Sequence, residues 1–191
     1  VFPSCHHLAR SGKFSTKSRN FDFVRLSPGG RVQDLTMEKI DLAKRFRALY
    51  AQKKTIVELD VGEGSFVSVE GKGAPGGEAY SNAIEMLYGL VYTTKFMLLG
   101  EEEVDFKVSK LECLWGKFDP KDTPMEEWLW ELQVRLPEEL TEAQLERGRT
   151  TLLEKKGVDA SKARLRTLAD GPCVQVLHLG PYDSISETYG R

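Results

Sequence analysis

The sequence predicts an α+β fold in which a strand–helix–strand–strand module occurs twice. Stretches of alternating apolar and polar residues, typical of half-buried strands, are interspersed with stretches in which apolar residues follow helical spacing. The segments SFVSVEGKGAPGGEAYSNAIEMLY and CVQVLHLGPYDSISETYG also share one progression: a strand, a glycine-bearing turn and a helix with an early tyrosine. Two strand patterns follow the first helix, whereas the chain ends soon after the second begins. We therefore expect the second module to be truncated.

The first strand is predicted in TIVELDVGEGSFVSVEGKG, which is rich in β-branched residues. It is either one strand or a strand with a bend at residues 62–64. The segment GAPGGEAY then predicts a loop, because proline and adjacent glycines oppose regular structure. Residues 78–99 carry apolar side chains at helical spacing and predict a long amphipathic helix that ends at Gly100.

Further strands are predicted after this helix. Residues 104–108 alternate, and LECLW continues the alternation after a bulge near Lys110. The clearest strand is EEWLWELQVRLP, whose alternation separates an apolar face from a polar face. The apolar face holds Trp128, Trp130, Leu132, Val134 and Leu136, and the polar face holds Glu127, Glu131, Gln133 and Arg135.

A second helix and two more strands follow. Thr141 and Gln144 have the spacing of a capping box, which predicts a helix that runs toward Lys156 and ends at Gly157. The segments ARLRTLAD and GPCVQVLHLG predict two strands around a turn at residues 170–172.

Composition narrows the class of protein. The chain has 191 residues, of which 40% are hydrophobic and 29% charged, as expected for one globular domain or for two small modules that share a core. A net charge of -2 indicates no nucleic-acid partner, and no apolar run reaches the ~20 residues of a membrane span. Three widely spaced cysteines predict free thiols in a reducing compartment, and hence a cytoplasmic protein. The sequence has no helix-turn-helix pattern, so we do not expect it to regulate transcription by binding DNA itself.

The N-terminal segment differs from the rest of the chain. Residues 1–36 hold six basic and two acidic residues, are rich in serine and glycine, and show no sustained apolar period. The first methionine is Met37, where MEKIDLAKRFRALY predicts a helix. We therefore expect residues 1–36 to be a disordered or non-native extension and residues 37–191 to form the domain. The pair His6–His7 beside Cys5 is not expected to bind a metal.

Aromatic residues near carboxylates are the main chemical signal. The sequence has no zinc-ligand spacing, catalytic-triad order or phosphate-binding loop, so no metal and no cofactor is predicted. A carboxylate beside aromatic faces favours a lipophilic cation, and an apolar setting raises a carboxyl pKa toward the range of general acid–base catalysis. The candidate aromatic walls are Tyr92, Trp115, Trp130 and Tyr182, and the candidate carboxylates are Glu112 and Glu131.

Each candidate also has a structural interpretation. At least one tryptophan of the clearest strand is expected in the core, and Glu131 is equally compatible with a solvated charge. Glu112 lies between two apolar neighbours in a mostly apolar strand. A fully solvated side chain is less expected at such a position. We expect His178 to anchor the Gly-Pro turn rather than to titrate in catalysis. Cys113 and Cys173 are expected to be small core residues.

The segment HLGPYDSISETY resembles the H-x-G-P-Y…Y segment of the GyrI-like small-molecule-binding domain, which is also the effector-binding domain of drug-sensing transcription regulators. From Met37 onward the chain resembles the stand-alone branch of that family in five ordered segments: MEKIDLAKRF, VEGKGAPGG, LVYTTKFML, KLECLWGKF and WLWELQVRLP. Lys110, Cys113 and Gly116 stand where the family pattern has proline, glycine and tryptophan. Residues 1–36 match nothing in the family.

The resemblance implies two modules related by a pseudo-twofold axis, with a ligand groove between their sheets. Family members bind hydrophobic, often cationic, small molecules, and they carry a pocket glutamate in a later strand that lies beyond Arg191. We expect Glu112 to be the candidate catalytic residue, with Trp115 and Trp130 beside it and Tyr182 facing them across the groove. The full set of expected ligand-binding residues is Tyr92, Glu112, Trp115, Trp130, His178 and Tyr182.

Three functions are consistent with this resemblance. The first is a domain that binds hydrophobic or cationic xenobiotics, and the second is a hydrolase that opens strained cyclopropane rings of genotoxic natural products. The third is a protein inhibitor of DNA gyrase. A turnover assay separates the first two functions, and a pull-down with gyrase tests the third.

Overall fold

The α+β class is confirmed. The computed structural model describes residues 6–7, 39–51, 53–116, 122–180 and 188. In chain order its elements are β1 (His6–His7), α1 (Leu42–Arg45), β2 (Val57–Val61), β3 (Gly64–Lys72), α2 (Glu78–Glu101), β4 (Leu111–Trp115), β5 (Leu129–Leu136), α3 (Glu142–Lys156), β6 (Arg164–Leu168) and β7 (Gly171–Gln175).

The strands β3, β4 and β5 and the helix α2 form the first predicted strand–helix–strand–strand module. The three strands belong to a five-stranded antiparallel sheet of order β1-β4-β5-β3-β6. Val134 on β5 lies between Val67 on β3 and Leu111 on β4, so apolar side chains form rows across the sheet. α2 packs on this apolar face and α3 packs on α2.

Both long helices begin and end for local reasons. α2 extends slightly beyond the predicted Gly100, and its last turn closes with the Glu102 N–H donating to the Leu98 carbonyl at 2.9 Å. α3 begins with the predicted capping box: the Thr141 hydroxyl accepts from the Gln144 N–H, and the Gln144 side chain accepts from the Thr141 N–H. It ends at Gly157, whose φ of 68° lies in the left-handed region.

Two sequence predictions about the strands were wrong. Residues 104–108 do not form a strand; Phe106 makes one isolated parallel bridge to Ile40 instead, and β4 begins only at Leu111. Residues 170–172 do not form a chain-reversing turn either. β6 and β7 do not pair with each other, because β6 pairs with β3 while β7 pairs with β2.

The strands β2–β3 and β6–β7 instead form one bent antiparallel ribbon. Val57 pairs with Gln175 and Val61 with Gly171 in a two-stranded sheet, and Gly64 pairs with Leu168 in the larger sheet. The register is continuous across the break, since each step along one strand is matched by one step back along the other. The ribbon therefore links the two sheets, and a local twofold axis relates its two antiparallel halves.

Glycines occupy matching places in the two halves of this ribbon. Gly64 begins β3 and Gly171 begins β7, and Gly73 and Gly180 follow at the same distance from them along the chain. Gly73 has a φ of 132° and Gly180 a φ of 155°, which is backbone that L side chains rarely adopt. The repeat seen in the sequence therefore corresponds to a structural repeat of the strand and its glycine turn. Of the helix expected after the second turn, only Thr188 is described, and it is helical.

The N-terminal segment contributes one described contact. His6 pairs with Leu114 and His7 with Cys113, which places the short β1 along the outer edge of β4. The rest of residues 1–36 lies outside the described residues, so the boundary at Met37 stays a prediction. No described helix has the length and apolar character needed to cross a membrane.

The crossing of α2 and α3 depends on a glycine. A Cβ at Gly148 of α3 would collide with the Thr94 hydroxyl of α2 and would lie 3.4 Å from Leu90 Cδ1. We expect Gly148→Ala to lower the free energy of unfolding by about 1–3 kcal/mol, because both helices would have to shift. Chemical denaturation monitored by circular dichroism measures this change.

Gly100→Ala is the matched control. Gly100 also lies in a helix, but no atom lies within 4 Å of its added Cβ. We expect this substitution to leave stability unchanged or to raise it by up to ~1 kcal/mol, because alanine is the better helix former. Equal effects at the two glycines would contradict the close crossing at Gly148.

Candidate functional site on the polar sheet face

The antiparallel register separates two chemically different faces of the main sheet. The face toward α2 is apolar and carries Val67, Val69, Leu111, Cys113, Trp115, Trp130, Leu132, Val134 and Leu136. The opposite face carries the alternate residues. There Glu112 on β4 lies opposite Gln133 on β5, which lies opposite Ser68 on β3. We call this second surface the polar face.

The polar face is buried at its centre. Glu112 is 9% exposed, Arg135 and Ser68 are 3% exposed, and Gln133 is fully buried. Polar and charged side chains are rarely buried to this degree without hydrogen-bond partners. Sequence alternation correctly placed Gln133 and Arg135 on a polar face, but it does not indicate that another part of the chain covers them.

Glu112 is held by two side chains from different elements. The Tyr50 hydroxyl donates to Glu112 Oε1 at 3.0 Å, and the Gln133 amide donates to Glu112 Oε2 at 3.1 Å. Burial raises the pKa of Tyr50 well above its usual value, and the neighbouring charge of Glu112 raises it further. Tyr50 therefore remains protonated and continues to donate at neutral pH.

Tyr50 reaches the sheet because the preceding segment is fixed to the fold. Ile40 hydrogen-bonds with the chain around Phe106, and Leu42 of α1 is buried at 1% exposure. The Asp41 side chain caps α1 by accepting from the Lys44 N–H at 3.1 Å. Residues 46–50, which we call the covering turn, then cross the polar face.

The covering turn and the residues just after it contact the second sheet and its continuation. The Gln175 amide on β7 donates to the Leu49 carbonyl at 2.6 Å, and the Leu177 N–H donates to the Lys53 carbonyl at 2.9 Å. Glu112 therefore lies where the main sheet, the two-stranded sheet and the covering turn meet. A ligand groove between the two sheets, as the resemblance implies, stays a prediction.

Trp115 and Trp130 lie on the other face of the sheet. Tyr80 of α2 stacks on Trp115 with ring centroids 6.3 Å apart and meets Trp130 edge-on at 5.3 Å. The Trp130 indole donates to the Gly73 carbonyl at 3.1 Å, and Trp128 packs edge-on against Trp115 at 5.6 Å. The structure thus does not bring these tryptophans together with Glu112, because neighbouring positions of a strand point to opposite faces.

The remaining predicted residues are dispersed. Tyr92 is 40% exposed on α2, beside Tyr88 and Phe96 at centroid distances of 6.2 Å each. His178 Nδ1 lies 2.7 Å from the Thr188 hydroxyl, which links the strand end to the following helical residue, as expected of a turn anchor. Tyr182 lies outside the described residues. Whether any of these residues contacts a ligand stays a prediction.

Glu131 and the cysteines have other surroundings. Glu131 lies on the polar face and forms an ion pair with Arg166 of β6, so it is not a freely solvated charge. Cys113 is 1% exposed in the core, and burial raises the pKa of its thiol to about 12. It is therefore a protonated core residue, as expected, and Cys173 is half-buried.

A surface depression of about 540 Å³ lies elsewhere, between α3 and residues 159–165. Its base holds Arg149, whose guanidinium already donates to Glu142, Glu146 and the Ala163 carbonyl. The residues that line this depression include no buried carboxylate held by two donors, as Glu112 is. Among the described residues, no group of three or more histidine, cysteine, aspartate or glutamate side chains could hold a metal ion.

The Tyr50–Glu112 hydrogen bond predicts a specific pH dependence. The folded-state pKa of Tyr50 is raised above 10.0, so its contribution is fully present below pH 10. Above that pH the unfolded chain ionises first, and stability falls by at most about 1.4 kcal/mol per pH unit for this group. We expect Tyr50→Phe to lower stability by about 1–3 kcal/mol at neutral pH and to reduce the loss above pH 10.

Urea denaturation at pH 7 to 11 measures both effects. Tyr92→Phe is the control, because Tyr92 is exposed, and we expect it to change stability by less than about 0.5 kcal/mol. If Tyr50→Phe and Tyr92→Phe behave alike across this range, the Tyr50–Glu112 bond does not contribute to stability.

Comparison with known proteins identifies relatives among solved structures. No protein-family model matches the sequence, and no curated protein matches it. An uncharacterized conserved protein and a hydrolase, both from Listeria innocua, are each 38% identical to the chain, with TM-scores of 0.72 and 0.73; each alignment covers 80% of this chain and 78% of the other. A further structure of a hydrolase from Listeria innocua is 35% identical, with a TM-score of 0.72 and 80% of each chain covered. The chain therefore belongs to the same protein family as these Listeria innocua proteins.

Proposed function

We propose that the chain is a hydrolase of small hydrophobic or cationic molecules and that Glu112 is its reacting carboxylate. The observation that carries the proposal is the burial of Glu112 at 9% exposure, with Tyr50 and Gln133 donating to its two oxygens. Two of the related Listeria innocua structures are of hydrolases, which supports an enzyme over a passive binding domain.

The site has the parts that water activation needs. A carboxylate in a setting poor in water can accept a proton from a bound water molecule as that water attacks carbon. Tyr50 and Gln133 come from separate parts of the chain and fix the plane of the carboxylate. This fixation aligns the accepting oxygen before the reaction, which lowers the entropic cost of reaching the transition state.

The resemblance to GyrI-like proteins suggests a strained cyclopropane as the substrate. In that reaction the water oxygen forms a bond to a ring carbon, and the water proton passes to Glu112. A ring carbon–carbon bond breaks, and its electron pair moves to the electron-withdrawing group attached to the ring. A proton then returns to that group, so the net reaction is the addition of one water molecule.

A binding domain for cationic xenobiotics is the second candidate function. Its specific support is the aromatic environment of the polar face, where Phe46, Phe66 and Tyr50 lie near Glu112 and Arg135. Aromatic faces beside a buried carboxylate favour a lipophilic cation. Phe66 and Tyr50, rather than the tryptophans, are the aromatic walls that we propose for the ligand. Inhibition of gyrase stays a prediction from the resemblance alone.

The decisive test is Glu112→Gln in the full chain. We expect it to reduce hydrolysis of a carbonyl-conjugated cyclopropane by about 10²–10⁴-fold, because the amide cannot accept the water proton. Product formation is followed by mass spectrometry, and folding is checked by thermal denaturation. Binding of a planar cationic dye, followed by fluorescence, should also weaken.

Glu70→Gln is the matched control. Glu70 lies on the same sheet face, opposite Glu131, but it is exposed. We expect Glu70→Gln to retain turnover within about twofold of the unmodified chain. Full turnover in Glu112→Gln would place the base elsewhere. Dye binding that depends on Glu112 without any turnover would favour the binding domain.

A further inference from the structure

Arg135 is a buried cation whose described surroundings hold no acidic partner. Its side chain projects from β5 onto the polar face and is 3% exposed. Within the described part of the chain, no carboxylate lies at ion-pair distance from it, and its one hydrogen bond runs to the Glu63 carbonyl at 3.2 Å. Its Nε atom is buried and finds no acceptor among the same residues. A buried charge without an ion-pair partner costs free energy of folding, so the burial of Arg135 requires a physical explanation.

Two phenylalanines and a glycine keep the guanidinium in this position. Its carbon lies 3.8 Å from the ring centroid of Phe46 and 5.5 Å from that of Phe66. A Cβ at Gly64 would approach the Arg135 side chain to 2.7 Å, so a larger residue there would displace it. Cation–π contacts stabilise the charge through the face of the guanidinium but leave its in-plane N–H donors unsatisfied.

Gln133 has a buried acceptor atom that receives no hydrogen bond from the described residues. It is fully buried, its Nε2 donates to Glu112, and its Oε1 finds no donor among the described residues. Gln133 and Arg135 are separated by one residue on β5, so they point to the same face with Cα atoms ~7 Å apart. Among the described residues, an acceptor that receives no hydrogen bond and a donor that gives none therefore lie side by side next to Glu112.

We propose that Arg135 and Gln133 form a subsite that binds a carbonyl or carboxylate oxygen of the small molecule. The ligand oxygen accepts from Arg135 Nε–H. Where the ligand also carries an N–H or O–H group, that group donates to Gln133 Oε1. This inference rests on the proposed function and assigns two residues of this chain that hold the oxygen of its substrate. Arg135 then faces the oxygen on which negative charge collects as Glu112 takes the water proton.

Phe46 covers this subsite. It belongs to the covering turn and is half-buried, whereas Phe66 on the sheet is 6% exposed. A planar ligand ring reaches Arg135 by taking the place of the Phe46 ring on the guanidinium. In this proposal the ligand ring takes the stacking position that Phe46 occupies on Arg135.

Nuclear magnetic resonance of the arginine Nε–Hε groups tests the subsite directly. The probes are benzoate and benzamidinium, which have the same planar ring with opposite charge. Arg135→Lys identifies the Arg135 cross-peak by its disappearance. We expect benzoate, but not benzamidinium, to shift this peak in a saturable manner. A peak that does not move in saturating benzoate overturns the proposal.

Variants separate a binding role from a structural one. We expect Arg135→Lys to weaken benzoate binding about tenfold or more, because lysine lacks the planar donor geometry. Arg166→Lys is the control on the same face, since Arg166 is already paired with Glu131, and it should leave benzoate affinity unchanged. Phe46→Ala should tighten benzoate binding by removing the competing ring. Weaker binding in Phe46→Ala, or equal losses in the two arginine variants, would contradict the subsite.

The outcomes also distinguish this subsite from the hydrolase proposal. A benzoate shift at Arg135 in a chain without turnover would support the subsite and remove the hydrolase. Turnover that depends on Glu112, with no response of the Arg135 peak to benzoate, would support the hydrolase and remove the subsite.

Discussion

The register of β3, β5 and β4 is the constraint on which both the core and the candidate site depend. Because side chains alternate along a strand, the pairing of Val134 with Val67 and Leu111 places every apolar row against α2. The same pairing places Glu112, Gln133 and Ser68 in one row on the opposite face. A shift of one residue would exchange the two faces, exposing the core and burying the charges under the helix.

The polar face is stable because its groups are covered and bonded by a separate part of the chain. Tyr50 donates to Glu112, Phe46 stacks on Arg135, and Gln175 of the second sheet holds the Leu49 carbonyl. Burial strengthens these bonds electrostatically, and it also makes each unpaired atom costly. The covering turn therefore keeps water away from Glu112 and accounts for the burial of the polar face.

Part of the candidate site could be predicted from sequence. Glu112 was singled out because a charged residue between apolar neighbours in a strand requires an explanation. Its grouping with Trp115 and Trp130 was not correct, since Trp115 is an odd number of residues away on the same strand and points to the opposite face. Tyr50 was missed because it is separated by 62 residues from Glu112, and no local pattern links them. Arg135 and Gln133 were placed on the polar face, but their burial depends on that same distant turn.

The sequence by itself determined the elements that depend on neighbouring residues. The capping box and Gly157 delimit α3, alternation defines β5, helical spacing defines α2, and the repeated strand with its glycine turn appears in both halves of the ribbon. Tertiary structure alone decided that Phe106 makes an isolated bridge to Ile40 while residues 104–108 form no strand, and that β6 and β7 pair with different strands. It also decided that a polar face is buried. The physical reason is that periodicity records the direction of a side chain, whereas burial depends on which distant segment comes to cover it.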